Sequence, residues 1–131
     1  MTMFDTSETL LHAWLDLVNA GDAEGVLALY NREAILQPTF SAGFLGRPKG
    51  IRGYFEKLSS REGLRVDLSR DPLIKQKLCE SLHSVSGLYT WHFLLHGKET
   101  AFEARFSIIV DLSKEAPILH HHSSQVPNPL G

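Results

Sequence analysis

The sequence predicts an α+β fold in which helices pack on one face of an antiparallel sheet. Three observations carry that expectation. Apolar residues recur at helical spacing through the first half, they alternate with period two through the second, and short polar turns separate the second-half runs.

The elements follow in order. Ser7 is placed to cap a helix running to about Val18, with Glu8 near the positive end of its dipole. Leu11, Trp14, Leu15 and Val18 form its apolar stripe, and Asn19-Ala20-Gly21 stops it. Asp22 caps a second short helix carrying Val26, Leu27 and Tyr30. Ala34-Ile35-Leu36 reads as a brief strand ended by Pro38. Residues 38–46 form a loop holding Phe40, Phe44 and Leu45, apolar enough to pack over something. A third helix starts near Pro48 and turns Ile51, Tyr54, Phe55 and Leu58 to one side. Residues 64–78 alternate loosely, with Pro72 marking an edge or a bulge. Three better strands follow over 83–96, 99–112 and 117–124, joined by His96-Gly97-Lys98-Glu99 and Ser113-Lys114-Glu115-Ala116. The tail after Pro127 is expected to fray.

Composition narrows the class. The 131 residues make a single domain, 1–131, and 43% hydrophobic with 21% charged residues is enough for a real core. Thirteen Lys and Arg against 15 Asp and Glu give a net charge of −2, which argues against a general nucleic-acid binder. A single cysteine, Cys79, excludes an internal disulfide framework and a Cys-rich zinc module, and it reads as an inert core thiol. The first apolar run follows acidic residues, the wrong polarity for a secretory signal, and no run of about 18 apolar residues suits a membrane. A soluble, cytoplasmic protein is expected.

The turns set the strand faces. A two-residue loop at Gly97-Lys98 pairs His92 with Glu103, Thr90 with Arg105 and Leu88 with Ser107. The second hairpin pairs Ser107 with His122 and Arg105 with Ser124. All these side chains share one face, because strand side chains alternate. The other face collects Tyr89, Trp91, Phe93, Phe102, Ala104, Phe106, Ile108 and His121. Two arrangements satisfy this register. Either the aromatic face is the core beneath the helices and the polar face is wet, as antiparallel sheets commonly allow. Or the helices cover the polar face, which becomes a lined pocket, and the aromatic face buries against another subunit.

Trp14 to Tyr30 (WLDLVNAGDAEGVLALY), followed by EAILQP, resembles the opening of nuclear-transport-factor-2-like domains, which include SnoaL-like proteins and ketosteroid isomerase. Gly46 to Phe55 (GRPKGIRGYF) looks like the entry to the third helix of that superfamily. EARFSIIV (Glu103 to Val110) and ILHHHSSQVP (Ile118 to Pro127) resemble bacterial relatives of the calcium/calmodulin-dependent protein kinase II association domain. The resemblance implies a cone-shaped, cystatin-like roll: three helices against a curved sheet enclosing a pocket, with the outer sheet face used for dimerisation. It favours the pocket arrangement. Pockets of the association type are lined by arginine, here Arg105, while the position of a second arginine is Thr90.

Chemistry is less well supported. Ketosteroid isomerase needs a carboxylate base, whose position falls at or beside Gln37, and its oxyanion tyrosine aligns with Trp14, which has no hydroxyl. The remaining constellation is Arg105 with His122, Thr90 and Ser124, edged by Trp14, Tyr30 and Tyr54. Arginine offers a donor fork for a carboxylate or enolate, and His122 is the candidate acid or base. His120 and His122 lack a third metal ligand within reach, so no metal and no cofactor are expected. The leading reading is a small-molecule-binding protein with an Arg/His-lined pocket. An isomerase- or dehydratase-type enzyme, and an oligomerisation hub, are the alternatives. The ligand is expected to be anionic or carbonyl-bearing, held by Arg105 under a lid of Trp14, Phe40 and Phe44 unless Glu103 neutralises the arginine. A homo-oligomer, a dimer or higher, is expected, with neither nucleic acid nor membrane as partner.

Overall fold

A computed structural model describes residues 4–127, so the tail after Pro127 lies outside the described residues. Three helices precede most of the sheet: α1 (Ser7–Asn19), α2 (Ala23–Leu27) and α3 (Lys49–Ser59). The strands are β1 (Tyr30–Gln37), β2 (Leu45–Gly46), β3 (Arg65–Leu68), β4 (Ile74–Lys77), β5 (Leu82–Leu95), β6 (Lys98–Asp111) and β7 (Ile118–Gln125).

Local chemistry sets the helix ends. Thr6, one residue before the expected cap, accepts the Thr9 N–H at 3.0 Å, while the Thr9 hydroxyl accepts the Thr6 N–H. This reciprocal cap satisfies donors at the helix start, and Ser7 becomes a buried helical residue. Asp22 caps α2 as expected, accepting the Gly25 N–H at 2.8 Å. The buried sides of α1 and α3 are Leu10, Leu11, Trp14, Leu15 and Val18, and Ile51, Phe55 and Leu58.

The strands form one sheet in the order β2-β1-β7-β6-β5-β3, with β4 also paired to β5. β3 and β4 flank the same edge of β5, facing residues 89–92 and 83–86, and Pro72 lies in the break between them. β1 pairs with β7 in parallel, which departs from the expected all-antiparallel sheet. A parallel neighbour needs a long crossover, and here the chain between β1 and β7 supplies it with α3 and the whole meander.

The β5–β6 loop is His96-Gly97, with φ of 53° and 78°, instead of Gly97-Lys98. A tight hairpin needs positive φ at both central residues, which glycine adopts freely and histidine more readily than lysine. Thr90 therefore faces Glu103, and Leu88 faces Arg105. The slip is two residues on the partner strand, so every side chain keeps its expected face. The β6–β7 pairs Ser107–His122 and Arg105–Ser124 are as expected.

The faces themselves settle the other way from the pocket arrangement. Tyr89, Trp91, Phe93, Ala104, Phe106, Ile108 and His121 are buried, whereas Arg105, Ser107 and His122 are exposed. The helices cover the aromatic face. Magnitudes explain the choice: each large apolar side chain buried is worth about 1.5–3 kcal/mol, and turning Arg105 inward would bury an unpaired charge. Trp14 of α1 stacks on Tyr89 at 5.7 Å between centroids, and Tyr89 stacks on Phe106 at 4.5 Å. Gly87 makes room for this layer, since a Cβ there would stand 3.2 Å from the Phe106 ring and 2.8 Å from Leu73. Phe40 closes the stack, edge-on to Trp91, Phe93 and Phe102.

Candidate functional site

The predicted constellation divides between the two sides of the sheet. Arg105, His122 and Ser124 stay together on the outer face, around a groove of about 470 Å³ that they share with Asp71, Ile74 and Leu88. Thr90 lies on that face outside the groove. The expected lid is absent from it, because Trp14 and Phe40 pack on the inner face and Phe44 is 70% exposed on its loop. The ion pairs among the described residues do not join Arg105 to Glu103. Trp14 and Tyr30 belong to the core, and Cys79 is exposed instead of buried. Tyr54 is half-buried on α3, where its hydroxyl accepts the Phe40 N–H at 3.3 Å and burial pushes its pKa up to about 12.

Inside the cone, six side chains form one continuous relay that the sequence reading missed, while the buried Trp91 Nε1–H lies outside it without a partner among the described residues. Trp14 Nε1–H donates to Tyr30 Oη at 3.1 Å, and Tyr30 Oη lies 2.8 Å from His121 Nδ1. The other imidazole nitrogen, Nε2, is 3.2 Å from Tyr89 Oη, which donates to Ser123 Oγ at 2.7 Å. Ser123 in turn meets the Thr39 hydroxyl. Burial, reinforced by the neighbouring His120 and His122, lowers the His121 pKa to about 3, so the ring is neutral and holds one proton. Burial likewise pushes the Tyr30 and Tyr89 hydroxyls well above the usual range, so both keep their protons.

The direction of the relay then follows. An indole N–H only donates. Tyr89 spends its proton on Ser123, so Nε2 must carry the imidazole proton and Nδ1 must accept from Tyr30. Every member is satisfied, which low-dielectric burial demands. Both nitrogens of His121 are committed to tyrosines, an arrangement suited to holding the aromatic layer in register. The only sequence signal for it was parity, which placed His121 among the aromatic side chains.

A broad opening lies at the mouth of the cone, between α3, the 40–45 loop and the end of β5. It has a volume of about 860 Å³, with Phe40, Leu45, Tyr54, Leu58 and Leu94 on its walls and Lys57, Arg61 and Glu62 as its charged lining. The Arg61 guanidinium lies over the Phe93 ring at 5.4 Å. Neither Lys57 nor Arg61 takes part in the ion pairs of the described residues. No group of three His, Cys, Asp or Glu side chains able to hold a metal occurs among those residues. No helix among them is long and apolar enough to cross a membrane.

No protein-family model matches the chain, and no curated protein matches it. Solved structures do. A candidate calcium/calmodulin dependent protein kinase II association domain from Xanthomonas campestris superposes with a TM-score of 0.81 at 22% identity, over 93% of this chain and 86% of that one. An NTF2-like protein with a cystatin-like fold from Novosphingobium aromaticivorans gives 0.73 at 11% identity, over 92% and 80%. A ketosteroid isomerase-like protein from Erwinia carotovora gives 0.75 at 12% identity, over 92% and 94%. The chain has the cystatin-like, NTF2-like fold, as its resemblance implied. At these identities the likeness is one of fold, which hosts many functions.

Proposed function

We propose that this chain is a small-molecule-binding protein whose ligand occupies the cleft at the mouth of the cone. One observation carries the reading: about 860 Å³ of space with apolar walls and two cations uncommitted to ion pairs, Lys57 and Arg61, which outnumber the one carboxylate lining it, Glu62. That volume is in the range of small-molecule sites, and such sites combine apolar walls with few polar anchors. The ligand class this favours is a small apolar-bodied anion, its charge met by Lys57 and Arg61 in place of Arg105. An enzyme of the isomerase or dehydratase kind is the weaker reading, because His122 stands on the outer face and His121 has no nitrogen free.

An NMR titration with 2-naphthoate, and with the neutral 2-naphthamide as control, tests the binding. Amide shifts at Gly53, Tyr54, Arg61 and Leu94 are expected, with the acid weakened about tenfold in a Lys57→Ala/Arg61→Ala double variant and the amide unaffected. Shifts elsewhere, or none, would overturn it.

The fold likeness to a candidate association domain also supports pairing of copies through the outer sheet face. Arg105 and Glu103 lie two residues apart there, so a twofold axis would let each meet its counterpart. Light scattering should then give twice the chain mass, falling to a monomer in Arg105→Glu.

A further inference from the structure

A second pocket, separate from the mouth cleft, lies at the outer end of the buried relay. The loop after β1 and the last residues of β7 surround a pocket of about 280 Å³. Its hydrogen-bonding side chains include Gln37, Thr39, His122, Ser123, Ser124 and Gln125, and no Asp, Glu, Lys or Arg lines it. Phe44 stands at its edge, 70% exposed, an aromatic ring that the fold leaves in water. We infer that this pocket binds a small neutral polyol of monosaccharide size, stacked on Phe44 and hydrogen-bonded by Thr39 and the two glutamines.

Polarity comes from the relay. Each hydroxyl passes its proton outward, from Trp14 through Tyr30, His121 and Tyr89 to Ser123. Ser123 accepts from Tyr89 and shares one hydrogen bond with Thr39, which either hydroxyl can donate. Thr39 lies within hydrogen-bonding reach of Tyr89 as well as Ser123, and it lines the pocket together with Ser123. The pocket thus offers hydroxyls whose positions are set by the core behind them, and a hydroxyl can both donate to and accept from a ligand hydroxyl.

The rest of the lining selects among oxygen ligands. With no lysine or arginine and one imidazole, that of His122, the lining holds no permanent cation to match the desolvated charge of a carboxylate or phosphate. Glutamine amides both donate and accept, the pattern that matches vicinal hydroxyls. The negative face of an aromatic ring suits the weakly positive C–H face of a sugar ring. The volume sits just below the roughly 300–1,000 Å³ of drug-sized sites, which limits the ligand to about one sugar ring.

The test is an NMR titration of the full chain with methyl β-glucoside, methyl β-galactoside and methyl α-mannoside, up to about 100 mM, above the millimolar range of weak sites. At least one should shift amides of residues 37–44 and 122–125 while leaving α3 unmoved, whereas 2-naphthoate should not move the first set. Phe44→Ala, a change at an exposed side chain, should weaken binding about tenfold, and Thr39→Val should weaken it about fivefold or more. No shift with any glycoside, shifts confined to another surface, or undiminished binding by Phe44→Ala would each overturn the inference. Naphthoate shifts in the mouth cleft are read independently, so either proposal can fail alone.

Discussion

The two faces of the β5–β6–β7 sheet alternate residue by residue along the same strands, and His121 and His122 mark the contrast. His121 is 1% exposed, hydrogen-bonded at both nitrogens and edge-on to Trp14 at 5.2 Å. His122, the next residue, is exposed in a groove beside Arg105 and Ser124. The inner face is therefore where changes should cost stability, and the outer face where they should alter contacts made after folding.

The largest break in this comparison is Trp14→Ala. It removes the ring that touches Phe55, Tyr89, Trp91 and His121 and takes away the donor to Tyr30, so urea unfolding should show a loss of about 3–5 kcal/mol. Thr90→Ala on the outer face should stay within about 0.5 kcal/mol. Equal losses would erase the distinction between the faces.

Acid sharpens the contrast between the two histidines. The His121 pKa falls from 6.5 to about 3 on folding. Between those values the unfolded chain binds a proton that the native chain refuses, so stability drops as pH falls below 6.5 and is unaffected above it. The slope from this group is about 1.4 kcal/mol per pH unit. Denaturant unfolding at a series of pH values should lose that increment in His121→Gln and keep it in His122→Gln. An unchanged slope in the first variant would contradict a neutral buried imidazole.

Tyr89→Phe tests the relay alone, since it keeps the ring and deletes one hydroxyl. It leaves the His121 Nε2–H and Ser123 short of a partner, at a cost of about 1–3 kcal/mol. Arg105→Ala is the smallest effect, within about 0.5 kcal/mol in the monomer, and its influence should show in light scattering instead.

Much of this molecule was legible before any coordinates. The Leu11, Trp14, Leu15, Val18 stripe found its place in α1, Asp22 capped α2, and the three long strands fell within a residue or two of their expected bounds. The β5–β6 register differs from the expected one because the loop begins at His96, which takes the positive φ expected of glycine. The relay was out of reach because its members come from α1, β1, β5, β7 and the loop holding Thr39, and only tertiary packing unites them.

Alternation along β5, β6 and β7, read from sequence, determined which residues keep company on a face, because a strand turns successive side chains to opposite sides whatever surrounds it. It left open which face the helices cover, since inverting the sheet preserves every pair. Tertiary packing decided that: α1 and α3 bring Trp14, Phe55 and Leu58 to one side only, and burying aromatic rings against them releases far more free energy than covering Arg105 without a counter-charge.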